Sequence, residues 1–157
     1  VPYPTGTPVD EQILDDVKDA LDAIATPSYH STVRYVSRYD PENGINIPTG
    51  EYPALLIGPA SIAWDDFTHG LQSGVMTFTV RGFVEQFEQV ATALAWLAAD
   101  IRKALTADYT RGAVALSTRI LEQTSWTLAD AAGPIHGVDI TVQVPFRHEY
   151  DNPNSPI

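Results

Sequence analysis

Between Val75 and Arg81 the chain alternates: Met76, Phe78 and Val80 on one side, Thr77, Thr79 and Arg81 on the other. A period of two belongs to a strand with one buried face. Further on the period lengthens, with Phe87, Val90, Leu94, Leu97, Ile101 and Leu105 recurring every three or four residues. That is the apolar stripe of an amphipathic helix, and it predicts one over about Gln86 to Leu105. Glu85 and Glu88 near its start and Arg102 and Lys103 near its end suit the helix dipole. The helix is expected to cover the apolar face of the sheet that holds the strand.

An earlier stripe, Ile13, Leu14, Val17, Leu21 and Ile24, predicts a first helix with Asp10 as its cap and Thr26-Pro27 as its end. Strands are expected at Ser31–Tyr39, Ala54–Gly58, Ser61–Phe67, Ala113–Leu121, Thr124–Leu128 and Val138–Arg147. The continuous apolar run at Ala54–Gly58 suits a strand buried on both faces. Asp40–Pro53 and Ala129–Gly137 read as loops, from their glycine, proline, asparagine and aspartate content. Val1–Val9 and Tyr150–Ile157 have the composition of flexible arms, and Asp40–Pro53 is expected to be mobile with them.

Too few helices alternate with strands for a doubly wound fold, so the expectation is α+β. One mostly antiparallel sheet would carry two main helices on one face. Residues 1–157 form a single domain in this reading: arm 1–9, folded core 10–147, tail 148–157. The uncovered face would consist of Thr77, Thr79, Arg81, Ser117, Arg119, Thr141, Gln143 and Arg147.

Charge narrows the function. Nine basic residues against 20 acidic ones give a net charge of −11. Wrapping duplex DNA needs clustered Lys and Arg, so that role is disfavoured. Passing DNA along without adhesion is compatible with such a surface. The 157 residues include no cysteine, which excludes disulfides, thiolate metal sites and thiol catalysis. No apolar run approaches the roughly 20 residues of a membrane span. VPYPTGTPV has neither the basic nor the apolar region of a signal peptide, so the chain reads as soluble and unexported.

Catalytic constellations are hard to find. His69, His136 and His148 each lie near an acidic residue, and a metal-dependent hydrolase site is conceivable from them. None falls in a metal-binding motif, and scattered histidines in loops or at strand ends are ordinary on a solvated surface. There is no GxSxG, P-loop or GxGxxG. Asp65 and Asp66 are adjacent, so on a strand they would point to opposite faces rather than form a dyad.

The segment from Tyr52 to Val84, YPALLIGPASIAWDDFTHGLQSGVMTFTVRGFV, sets an apolar strand closed by Gly58-Pro59 before a short strand, a glycine turn and a long strand. With the helix and strands after it, and the helix before it, this order resembles the tail terminator (tail completion) proteins of long-tailed bacteriophages over Asp10–Arg147. The resemblance implies a structural virion protein made in the host cytoplasm. It would form a ring, commonly a hexamer, on the finished tail tube, stop tube polymerisation, and offer a joint to the head–tail connector. Its partners would be copies of itself, the tail tube protein and the connector protein, with DNA only as passing cargo. Neither reaction nor cofactor would be involved. A head-closure or neck protein of the virion is the nearer alternative, and the histidine-based hydrolase the farther one.

In a chain this acidic, arginines are natural partners for carboxylates of another subunit, because the planar fork engages them bidentately. Arg81, Arg119 and Arg147 are therefore candidate interface residues, with Asp65 and Asp66 or the acids of the first helix opposite them. Trp64, beside those two aspartates, and Trp96, which lies off the apolar stripe, are candidates for contact with another chain.

Overall fold

The structure is a computed structural model that describes residues 6–39, 42, 47–48, 50–65, 69–85, 88–130 and 133–157. Its elements run α1 (Val9–Asp22), β1 (Tyr35–Arg38), β2 (Ala54–Ile57), β3 (Ser61–Trp64), β4 (Leu71–Val84), α2 (Val90–Ala107), β5 (Arg119–Asp130), β6 (Gly133–Glu149) and β7 (Asn152–Pro156). The strands make one sheet in the order β1-β2-β4-β6-β5, with β3 also on β4 and β7 also on β6. Among the described residues only the β1–β2 pair is parallel. This is the α+β architecture expected, a mostly antiparallel sheet with two helices on one face.

The alternating strands set the layer. Met76, Phe78 and Val80 of β4 and Val138, Ile140, Val142, Val144 and Phe146 of β6 are buried on one face. Across it lie Ile13, Leu14, Val17 and Leu21 of α1 and Leu94, Leu97, Ile101 and Leu105 of α2, all in the same core. Each such side chain contributes about 1.5–3 kcal/mol when fully buried. Gly82 keeps α2 close, since a Cβ there would lie 2.9 Å from Leu97 Cδ2.

β2 is buried on both faces, as its unbroken apolar run suggests. Leu55 and Ile57 join the main core, while Ala54, Leu56 and Phe83 form a second cluster on the opposite face with Tyr35, Tyr52, Trp126 and Ile135 packed around it. That face is therefore apolar at one end rather than polar throughout. β2 and β3 behave as a single edge with an extra residue: Ile57 pairs with Val80 and Ser61 with Thr77, so four steps on one side match three on the other. Gly58 sits at this irregularity and donates its N–H to the Thr79 carbonyl at 2.8 Å.

Several boundaries differ from the sequence expectation. α1 starts at Val9 with Pro8 as its cap, so Asp10 lies in the first turn instead of capping. α2 starts at Val90 after a left-handed Gln89 and runs to Ala107, which leaves Arg102 and Lys103 outside the last turn. Gln86 and Phe87 lie outside the described residues, as do Val1–Thr5 and most of residues 40–49. The strand read at Ser31–Tyr39 shortens to Tyr35–Arg38, because the His30 and Ser31 N–H groups donate to the Asp100 carboxylate instead of to a ladder. The strand read at Ser61–Phe67 ends at Trp64.

The alternation at Ala113–Leu121 is a turn as far as Thr118. Arg111, Gly112 and Ala113 all have positive φ, and the Asp108 side chain accepts from the Thr110 and Gly112 N–H groups. Ser117 thus leaves the polar sheet face. The expected loop at Ala129–Gly137 is mostly ladder, since β5 continues to Asp130 and β6 begins at Gly133. In the C-terminal stretch read as a tail, Asn152–Pro156 pairs with the end of β6 as β7.

Beyond the core, Arg38 of β1 donates two bonds, 2.6 and 3.0 Å long, to the Glu11 carboxylate of α1. That guanidinium holds the Glu11 carboxyl below its ordinary 4.5 despite partial burial. A depressed folded value means the contribution is full above the unfolded pKa and disappears as pH falls through the folded one. Both side chains are more than a third exposed, so its size is under about 1 kcal/mol. Glu11→Gln should lower the melting temperature slightly at pH 7, and the difference from the parent protein should shrink as pH falls through the folded Glu11 value. Equal melting temperatures at pH 7 would remove the bridge from the account.

Candidate functional site

The sheet face away from the helices carries the arginines singled out in the sequence. β6 orders them, because Arg81 pairs with Asp139, Arg119 with Gln143, and Arg147 belongs to β6 itself. Levels four residues apart are separated by roughly 13 Å along a strand. The three share a face, yet they are spaced along it and do not cluster.

Arg81 is engaged within its own chain. Its Nε and Nη2 donate to the Asp139 carboxylate at 2.9 and 3.1 Å, and its guanidinium lies 5.4 Å from the centre of the Trp126 ring. Trp126 Nε1 donates to the same carboxylate at 2.9 Å, and its ring meets Phe83 edge-on. Asp139 was missed in the sequence because only the β4–β6 register brings it to Arg81. Arg119 and Arg147 are exposed, with no ion pair among the described residues.

Gly137 makes room for this arrangement, since a Cβ there would lie 2.2 Å from the Trp126 ring. Gly137→Ala should push the ring out, break its bond to Asp139 and cost about 2 kcal/mol, as overpacking does. Indole fluorescence and urea denaturation would show it. An unshifted spectrum with unchanged stability would contradict this geometry.

The other candidates lie elsewhere. Trp64, at the end of β3, is 51% exposed and meets Phe146 and the buried His148 edge-on, covering the far end of the core. Asp65 follows it, exposed, while Asp66 lies outside the described residues. Trp96 is 52% exposed on α2 and stacks on His30, at the rim of a cleft of about 290 Å³ that also touches Tyr52, Pro53, Val84, Glu85 and Ala93. Trp64 and Trp96 thus sit apart from the arginine face. On the arginine face itself, Tyr39, Leu56, Pro59, Thr79 and Arg81 line a smaller cleft of about 210 Å³.

The histidines do not converge. His136 pairs opposite Val84 and His148 opposite Gln72, at the two ends of the β4–β6 ladder. Twelve residues of extended strand separate them by roughly 40 Å, so they cannot share an ion. His136 Nδ1 is 2.9 Å from the Thr127 hydroxyl, and His148 Nδ1 lies against the Glu149 carbonyl. Among the described residues no three His, Asp or Glu side chains are placed to hold a metal. None of their helices is long and apolar enough to cross a membrane.

No family model matches the sequence, and no curated protein matches it. Solved structures do match, among them a chain of the virion of a native gene transfer agent particle, with a TM-score of 0.62 and 18% identity over 87% of this chain and 96% of that one. Nearly the whole of both chains superposes, so the two share a fold.

Proposed function

We propose that this chain is a structural protein of a phage-like virion, and within it the tail terminator: a ring that caps the tail tube, ends its polymerisation and meets the head–tail connector. The observation that carries the reading is the likeness, across almost the whole of both chains, to a chain of the gene transfer agent virion. The element order agrees, with the Gly58-Pro59 edge, the glycine turn before β4 and the long strand–helix unit that prompted the resemblance.

The charge fits a passage for DNA. Each copy contributes −11, and Asp15, Asp19 and Asp22 on the outward side of α1 are exposed. Acidic walls repel phosphates, so a ring of such chains lets DNA pass without holding it. Arg119 and Arg147 are the arginines best placed to reach a neighbour's carboxylates; Arg81 would first have to share Asp139.

Native mass measurement followed by electron microscopy tests the reading. A hexameric ring that binds tail tube protein supports it, and a monomer at every concentration overturns it. Preferential capture of connector protein would move the chain to the neck of the particle. In the ring, Arg119→Ala and Arg147→Ala should each weaken assembly by roughly 2–5 kcal/mol if their partners are desolvated. Sedimentation at two salt concentrations reads this out, and wild-type stability in both would leave the two arginines solvated.

A further inference from the structure

Among the described residues the main run of the sheet ends in two different edges, β1 on one side and β5 on the other, with the shorter β3 and β7 outermost toward its other end. β5 is twelve residues long, about twice the usual strand. Its stretch Gln123–Ala129 has no proline and no charge, and the only register shift lies earlier, between Ile120 and Glu122. Residues 121–125 are exposed. Natural proteins protect open edges of this length, because the free N–H and C=O groups recruit another strand.

The pairing registers add a second observation. Following the ladders across the sheet, Tyr35 shares a row with Trp126, Val36 with Ser125, Ser37 with Thr124 and Arg38 with Gln123. The whole of β1 thus stands level with the unprotected part of β5. The strands run in the sense down, down, up, down, up from β1 to β5. A rotation that sets β5 of one copy beside β1 of the next keeps these rows level and the two strands antiparallel, with the twist between the two edges taken up by the tilt of each copy. The apolar cluster on the outer face spans the same rows, with Tyr35 at one border and Trp126 at the other. Joining two copies sets those aromatic rings side by side and makes the cluster continuous, as favourable cross-strand pairs require.

We propose that neighbouring copies join edge to edge, β5 of one chain adding to β1 of the next, so that the assembly carries one continuous sheet. The proposal rests on the ring reading above and specifies its contact. Because the two edges differ, the contact is head-to-tail, the kind that closes into a ring when the rotation divides a full turn.

The absence of cysteine gives a clean background for cross-linking. A chain carrying both Ser37→Cys and Thr124→Cys, oxidised mildly after assembly, should give a ladder of covalent multimers on a denaturing gel. The pair Ser37→Cys with Glu122→Cys covers a register displaced by one same-face step. Neither Ser37→Cys nor Thr124→Cys alone should cross-link. Assembly of normal mass with no ladder from either pair would overturn the edge contact and leave the ring reading standing. A covalent dimer from Thr124→Cys alone would also overturn it, because β5 would then pair with β5. Consecutive prolines give an independent check, since neighbouring N–H groups on an edge strand point in opposite directions. Of Gln123→Pro and Thr124→Pro, one faces β6 and destabilises the monomer. The other should leave the circular dichroism spectrum and melting temperature intact and abolish the assembled peak in sedimentation. Full assembly by that folded variant would refute the proposal.

Discussion

Arg111→Met is expected to destabilise the protein by about 3 kcal/mol, a fall of roughly 6–12 °C in melting temperature for a chain of this size. Arg111 is 1% exposed, and nothing in its sequence surroundings marks it out. Its Nη2 donates to the Leu105 and Asp108 carbonyls at the C-terminal end of α2, and its Nη1 lies 3.1 Å from the Asp16 carboxylate on α1. One side chain thus holds the ends of α2's peptide groups and ties the two helices together. Burial lowers the Arg111 pKa and raises that of Asp16 above its ordinary 3.8, against their mutual attraction. Methionine fills similar space, leaves both carbonyls without their donor and takes the ion-pair partner from the Asp16 carboxylate. The Asp16 side chain is 34% exposed, so water recovers part of the loss and the estimate sits at the low end for a broken buried pair. Adding Asp16→Leu removes the stranded carboxylate, and the double variant should regain about 1 kcal/mol over Arg111→Met alone. Urea denaturation of the single and double variants measures the coupling. A single variant as stable as the parent would mean that the bracket carries no weight.

Asp100→Ala should cost a similar amount, about 3 kcal/mol, through a different link. Asp100 is 1% exposed on α2, and its two carboxylate oxygens accept the His30 and Ser31 N–H groups at 3.0 and 2.8 Å. These donors belong to the irregular stretch between α1 and β1. Without the carboxylate both half-buried N–H groups lose their acceptor, and the stretch loses its anchor on α2. Asp100→Asn retains one acceptor and opposes the second N–H with an amide donor, so it should cost about half as much. Amide exchange at His30 and Ser31 should accelerate in both variants. Unchanged exchange in Asp100→Ala would show that the stretch is held by something else. Trp96 stacks on His30, so its fluorescence gives a second reading of the same event.

Much of this architecture is legible in the sequence. The period of two at Met76–Val80 and at Val138–Phe146, and the stripes from Ile13 and from Leu94, come from which residues must leave water. That requirement acts between near neighbours, so the helix and sheet faces, the α+β class and the doubly buried β2 follow without any knowledge of pairing. The placement of Arg81 and Arg147 on the face opposite the helices follows too, because strand parity decides it, while Arg119 is held on that face by its pairing with Gln143. The errors fall where a distant group supplies the backbone's partner. Ser31 looks like the start of a strand, yet Asp100, some 70 residues away, takes its donor and that of His30. Gly133–Gly137 looks like a loop, yet β5 pairs with it; Asn152–Pro156 looks like a tail, yet β6 holds it. Arg81 reads as a partner for another subunit's carboxylates until the register sets Asp139 beside it, and nothing in the sequence marks Arg111 for burial between two helices. Local periodicity determined which side of each element is apolar. Register, buried polar partners and the level match between β1 and β5 were decided only by the tertiary structure, because they depend on contacts between residues far apart in the chain.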